Sequence, residues 1–384
     1  MVTDAEQEIV TGAELISRAA IDSGVNFFAG YPITPASSVY TAMLTKLQAA
    51  GKLAIGASDE ISAISMCIGA SMRGAKAMTA SSAPGIALMI ENIGYAFATE
   101  TPLVIVCGQR LGPSTGAATQ SAQGDISFIR NLISGGFEIP VFAPNSIFNC
   151  YQTTVDAINC AERYRTPVIL LTEKDILMSS TNINLRFMEQ VKSQVKFINR
   201  PSRNLDDTSP YKTYDFDQLE EVPKFLATGL GSEHRVVATA STHDKSGRLV
   251  KKSKEAYQVI EHLAAKIQDN LDDYNSFRLN LDDGADTAII SFLASDLSAR
   301  EAVVKLRAEK KKINHLSLFT IFPISVKAIE EATVGCSRVI IPEVNLQGQY
   351  ADYLAPYLAG KEIIKVNSLA DLISPNQIME AYHG

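Results

Sequence analysis

The sequence is short of several features that would place it quickly. No apolar run reaches the roughly 18 residues that a membrane span needs. The opening "MVTDAEQEIV" is acidic and lacks the basic-then-apolar layout of a secretory leader. Basic charge is in deficit: 35 Lys and Arg against 42 Asp and Glu give a net charge of −7, which argues against the positive field of a nucleic-acid binder. Cysteine is sparse and scattered. Cys67, Cys107, Cys150, Cys160 and Cys336 are an odd number with no CxxC pair, so they read as reduced, mostly buried thiols. They offer no spacing for a chain-borne zinc or iron–sulfur site. Together these absences predict a cytoplasmic protein that neither spans a membrane nor binds nucleic acid.

What is present is an alternation. From residue 10 to about 180, short continuous apolar stretches such as "VNFFAG", "AKAMTAS", "PLVIVCG" and "PVILLT" are separated by helical patterns. In "TGAELISRAAIDSG", Leu15, Ile16, Ala19 and Ala20 share one face, Thr11 is placed to cap and Gly24 to terminate. In "PASSVYTAMLTKLQAAG", Val39, Met43 and Leu47 fall in line. Strands apolar on both faces, alternating with helices, predict a parallel sheet covered on both sides. Residues 181–283 change texture, with a polar stretch rich in Pro, Asp and Tyr and then the charged amphipathic "SKEAYQVIEHLAAKIQDNLDDYNSF". From 284 to 384 a second α/β series begins at "ADTAIISFL". The expected division is therefore 1–180, 181–283 and 284–384, within the length needed for two cores.

Ligands of parallel sheets lie beyond the carboxyl ends of the strands, which directs attention to three turns. In "FFAGYPITPASSVY", Pro35 suits the first helical position and Thr34 then falls at the N-cap, where its hydroxyl either caps the helix or faces a ligand. In "GASDEISAIS", Asp59 and Glu60 begin a helix, where acids also pair with the helix dipole. In "VCGQRLGPSTGAATQSAQGD", Arg110 offers a fork suited to a carboxylate, or to an interdomain ion pair. Three successive strand ends thus direct a polar group at one crevice. His243 and Asp244 in "STHDKSG" read as a capped turn rather than catalytic groups.

"GYPITP", "DEISAI", "SSAPGIALMIENIGYA", "ETPLVIV", "GQRLGPSTG" and "PEVNLQGQ", in this order, resemble the α subunit of 2-oxoacid:ferredoxin oxidoreductases. The "QRLGPSTG" loop is most similar to the 2-oxoglutarate branch, with pyruvate or a branched-chain 2-oxoacid as alternatives. A rival of another class is a non-catalytic scaffold subunit. The resemblance implies an α/β fold, made of a pyrimidine-binding domain of thiamine-dependent enzymes followed by a transketolase C-terminal-like domain. It implies a thiamine diphosphate-dependent decarboxylation of a 2-oxoacid, with electrons passed to ferredoxin and the acyl group to coenzyme A. Thiamine diphosphate would be shared with a β subunit that holds the diphosphate, Mg²⁺ and a [4Fe–4S] cluster. The absence of any GDG from this chain agrees with that division, and "GLGSEH" lacks the third glycine of a dinucleotide fingerprint.

By the same resemblance, Glu60 is the acid that hydrogen-bonds the aminopyrimidine ring, in an apolar and water-poor setting. Tyr31, Pro32 and Ile33 join it along the coenzyme. Thr34 and Arg110 contact the substrate, and Ser114 and Thr115 shape its site or touch the distal carboxylate. "SSAPG" at 81–85 and "GPSTGAATQ" depart from the family pattern near that site. The expected assembly is a dimer of αβ pairs acting on ferredoxin, with a γ-type domain either a separate subunit or absent. Exposed apolar surface is expected on the helices that the β chain covers.

Overall fold

The structure is a computed structural model that describes residues 7–384. Residues 1–6, on which part of the leader reading falls, lie outside the described residues. The amino-terminal half runs β1 (Gln7–Thr11), α1 (Gly12–Asp22), β2 (Phe27–Gly30), α2 (Ser37–Ala49), β3 (Leu53–Gly56) and α3 (Glu60–Met72). It continues with β4 (Ala77–Ser81), α4 (Ala83–Ala98), β5 (Leu103–Gln109), α5 (Ile126–Arg130), β6 (Val141–Phe142), α6 (Cys150–Tyr164) and β7 (Pro167–Glu173). Thr11 closes a capping box with Glu14 at the start of α1, and the apolar stripes of α1 and α2 are buried as their spacing requires.

Next, β8 (Ser180–Asn184) returns antiparallel to β1. The carboxyl-terminal half contains β9 (Phe277–Asn280), β10 (Thr287–Phe292), β11 (Ile313–Leu318), β12 (Thr320–Phe322), β13 (Arg338–Glu343) and β14 (Glu362–Asn367). The first sheet has the order β12-β6-β7-β5-β4-β2-β3, parallel except where β12 joins β6. The second has the order β14-β13-β10-β11-β9, with β9 antiparallel at its edge. Strand β12 comes from the carboxyl-terminal half yet completes the first sheet, and one continuous core contains Phe28, Ile105 and Leu170 together with Phe292, Leu316 and Tyr350. The two sheets are therefore packed as one body, with their strand ends facing a shared seam.

The 181–283 segment is pinned by buried charge pairs. Arg200 Nε and Nη2 donate to Glu162 at 2.9 and 2.6 Å, and Arg200 Nη1 donates to the Ser71 carbonyl at 2.8 Å. Lys266, on the helix Lys254–Gln268, pairs with the fully buried Glu100. Burial would raise the Glu100 pKa, but Lys266 and His262 hold it well below the usual carboxylate range. Pairs of this kind fix a segment in place, because removing either partner strands a charge in the interior. "STHDKSG" forms a capped turn, with Asp244 Oδ1 accepting from the Ser246 and Arg248 amides at 2.9 and 3.0 Å. All five cysteines are buried free thiols. Among the described residues, no helix is long and apolar enough to cross a membrane.

Candidate active site

The turn after β2 differs from its sequence-based reading. Helix α2 begins at Ser37, with Ala36 at its cap and no side-chain cap bond, so Thr34 is not the N-cap. The chain needs one more turn first: the Ser37 amide donates to the Ile33 carbonyl at 2.8 Å. What Thr34 contributes is its carbonyl, which accepts from Arg110 Nη1 at 2.7 Å and from Ser82 Oγ at 3.2 Å. The hydroxyl is thereby left free of a capping role. Tyr31 and Pro32 are exposed, and Ile33 and Thr34 are half-buried.

The two adjacent acids of "DEIS" divide their work. Asp59 is the N-cap of α3, its Oδ1 accepting from the Ser62 amide at 2.7 Å. Glu60, the first helical residue, turns inward and is only 5% exposed. Among the described residues no hydrogen bond or ion pair reaches its carboxyl, although buried polar groups are nearly always satisfied. Gly85, in the first turn of α4, makes room for the Glu60 side chain itself. A Cβ there would lie 2.5 Å from Glu60 Oε1 and 2.1 Å from Ser81 Oγ. Glu60 is thus a carboxyl with unused acceptors, pressed against a glycine and against the positive end of a helix.

Arg110 leaves the end of β5, is 6% exposed, and has a buried Nε without a partner. It lines a cavity of about 600 Å³. Ala83, Pro84 and Ala87 of α4 form one wall, and Asn345 and Gln347 of the "PEVNLQGQ" loop form the opposite one. The "QRLGPSTG" loop is closed on itself by the Leu111 amide donating to the Gln120 carbonyl and the Ala117 amide donating to Leu111. Gly116 adopts φ of +50°, and a Cβ there would fall 1.7 Å from the Leu111 carbonyl oxygen, so only glycine fits. Ser114 reaches the cavity wall, whereas Thr115 is exposed and is not among the lining residues. The structure joins Arg110, Thr34 and Ser82 by direct hydrogen bonds, and Ser82 leads α4 past Gly85 to Glu60.

Sequence reasoning missed Asp125, Gln123 and Glu173. Asp125 lines the cavity, and burial pushes its carboxyl up to about 6 against the pull of Arg110. Gln123 is fully buried and binds the two halves together. Its amide donates to the Val344 carbonyl at 2.6 Å, its Nε2 donates to Glu173 Oε2 at 3.1 Å, and its Oε1 accepts from the Val344 amide at 3.0 Å. Glu173, raised to about 7 by burial, accepts from the Ala294 amide at 2.8 Å. The stretches "AQGD" and "PEVNLQGQ" carried the signal, since Gln, Asn and Asp cluster there at strand ends. On the outer faces of α3 and α4, Ile61, Met66 and Leu88 are 48%, 40% and 53% exposed.

Residues 18–267 match the family model described as pyruvate flavodoxin/ferredoxin oxidoreductase, thiamine diphosphate-binding. The 2-oxoglutarate synthase subunit KorA of Methanocaldococcus jannaschii is 32% identical over 380 residues, which cover 98% of this chain and 99% of that relative. A solved 2-oxoglutarate:ferredoxin oxidoreductase from Magnetococcus marinus, with 2-oxoglutarate, coenzyme A and succinyl-CoA bound, superposes with a TM-score of 0.91 at 29% identity. The match covers 98% of this chain and 65% of that longer one. A split-gene transketolase, an inactive beta4 tetramer, superposes with a TM-score of 0.53 at 11% identity and shares the fold alone.

Proposed function

The chain belongs to the pyruvate flavodoxin/ferredoxin oxidoreductase family of thiamine diphosphate-binding chains, and from that premise we propose that it is the α subunit of a 2-oxoglutarate:ferredoxin oxidoreductase. The reaction is oxidative decarboxylation of 2-oxoglutarate to succinyl-CoA with reduction of ferredoxin, or its reverse. Thiamine diphosphate, when bound, supplies the electron sink that decarboxylation of a 2-oxoacid requires. One observation carries the reading: Glu60 is a buried carboxyl with no partner, let inward by a glycine whose missing side chain makes room for that carboxyl.

On this reading Glu60 holds and exchanges a proton with the aminopyrimidine ring, and Tyr31, Pro32 and Ile33 border that ring. Arg110 pairs with the substrate carboxylate, and the Thr34 carbonyl keeps the guanidinium aimed by accepting from Nη1. Ser114 lies on the wall toward the distal carboxylate, while Thr115 acts only through the shape of the loop. Units 1–180 and 284–384 are the ring-binding and second α/β units, joined by 181–283. The diphosphate, Mg²⁺ and the [4Fe–4S] cluster fall to a β subunit that covers Ile61, Met66 and Leu88. A dimer of αβ pairs working in the cytoplasm, with or without a γ subunit, completes the proposal.

The test is a panel of 2-oxoacids offered to the complex co-purified with its β subunit, reading reduced ferredoxin or viologen. The expected result is fastest turnover with 2-oxoglutarate, and none from the isolated chain. Faster turnover with pyruvate would overturn the substrate, and full activity of the β subunit alone would make this chain a scaffold.

A further inference from the structure

Asp125 stands on the cavity wall with Arg110, and the roles assigned above leave it unused. Its backbone is held in place. Its amide donates to Gln109 Oε1 at 3.2 Å, and the backbone on either side is gripped by the second unit. The Gln123 amide donates to the Val344 carbonyl at 2.6 Å, the Ser127 amide donates to Gln349 Oε1 at 2.9 Å, and Gln349 Nε2 donates to the Gly124 carbonyl at 2.9 Å. Its Oδ2 is buried with no hydrogen-bond partner, and Oδ1, also without a hydrogen bond, is the oxygen left to a ligand in the cavity.

The charged groups around it are few. Arg110 approaches from the end of β5, and the buried Cys107 thiol lies on the same strand and feels the Asp125 charge. The facing wall of the second unit offers Asn345, Gln347 and Gln349, which are amides, and α4 offers Ala83, Pro84 and Ala87. Arg110 is therefore the one cation among the lining residues that favours an ionised Asp125. One Arg110 nitrogen is already committed to the Thr34 carbonyl. When a substrate carboxylate engages the rest of the guanidinium, Asp125 faces a second anion with its own counter-charge neutralised. Two carboxylates in that position cannot both stay ionised cheaply, and the least costly response is for one to take up a proton.

We propose that Asp125 is a substrate-binding residue that acts in its protonated form, donating a hydrogen bond from its carboxyl to a substrate carboxylate, so that at neutral and alkaline pH each 2-oxoacid bound brings about one proton onto the enzyme. This rests on the reading of the cavity as the 2-oxoacid site. In the free chain burial already pushes Asp125 up to about 6. Below that pH the proton is in place before substrate arrives. Above it the proton must be taken from solvent, and apparent affinity falls about tenfold per pH unit.

Asp125→Asn is permanently neutral and keeps a donor. The experiment is the KM for 2-oxoglutarate of the holo-complex, wild type and Asp125→Asn, from about pH 5.5 to about pH 8.5, with kcat recorded alongside. The expected result is a wild-type KM that climbs with pH and a flat one for Asp125→Asn, lower than wild type by about tenfold or more near pH 8. A merely structural role predicts the opposite sign, so a raised KM or a retained slope in Asp125→Asn overturns the proposal. If the variant fails to assemble, the wild-type complex is titrated with glutarate, which has no keto group to react, in buffers of different ionisation heat. Uptake of about one proton near pH 7.5 is expected, and no uptake overturns the proposal. If another 2-oxoacid proves to be the substrate, the substrate reading fails while the same slope, measured on that acid, still decides the role of Asp125.

Discussion

The carboxyl edges of the two sheets hold similar residues in opposite states. At the first, hydrogen-bonding capacity is left over: Arg110 Nε and Asp125 Oδ2 have no partners among the described residues, their residues line a cavity of about 600 Å³, and the Glu60 carboxyl, outside that lining, has no hydrogen bond either. At the second, most groups are committed to each other, although Asp296 Oδ2 and Ser317 Oγ also lack a hydrogen-bond partner, and no such cavity includes them. Glu343 accepts from the Tyr350 and Ala351 amides at 2.8 Å each and from Asn345 Nδ2 at 2.7 Å. Ser291 Oγ lies 2.8 Å from both Asp296 Oδ1 and His315 Nε2, all three buried. Serine, histidine and aspartate are the residue types of a hydrolase triad, yet Asp296 turns its other oxygen toward Arg278 at 3.9 Å and none of the three lines a cavity described here. Neither residue type nor an unpaired buried atom makes a site in this chain; polar residues that line an open cavity, Arg110 and Asp125 among them, do.

Substitutions at the two edges should therefore fail in different ways. The largest effect is expected for Glu60→Gln: turnover of the reconstituted complex, read as viologen reduction, falls at least about 100-fold while bound coenzyme is retained. Unchanged turnover would erase the contrast between the edges. Gly85→Ala should come next. Its Cβ would meet Glu60 Oε1 at 2.5 Å, and displacing that carboxyl is expected to lower kcat about tenfold, equivalent to about 1.4 kcal/mol in the barrier. The smallest effect on turnover belongs to Ser291→Ala. It should leave kcat unchanged and reduce unfolding stability by about 1–3 kcal/mol in denaturant titration, because Asp296 loses a buried donor.

The sequence carried the frame of this comparison more than its detail. Val39, Met43 and Leu47 recur at helical spacing, and burial in one core enforces that spacing, so α2 was legible. Strand β12 was not. Its residues Thr320–Phe322 carry no periodicity, and their pairing with β6 is set by folding of the whole chain. Thr34 misled because local rules place a threonine before proline at a helix cap, whereas its carbonyl answers to Arg110, 76 positions away. Of the adjacent acids, only the backbone direction at α3 decides that Asp59 caps and Glu60 turns inward. Asp125 was marked only as a polar residue of "AQGD": its unpartnered state depends on a clamp from Gln349 and Val344, more than 200 positions downstream. Thr34, Glu60 and Arg110 were marked by their strand ends and given roles by the resemblance to a family, and the cavity then drew in Asp125 and its neighbours.

The most direct test of the central claim is a density map of the complex with its β subunit and thiamine diphosphate. The account predicts the aminopyrimidine ring against this chain, with a ring nitrogen within about 3 Å of the Glu60 carboxyl. A ring lodged away from this chain, or facing another acid, would contradict it.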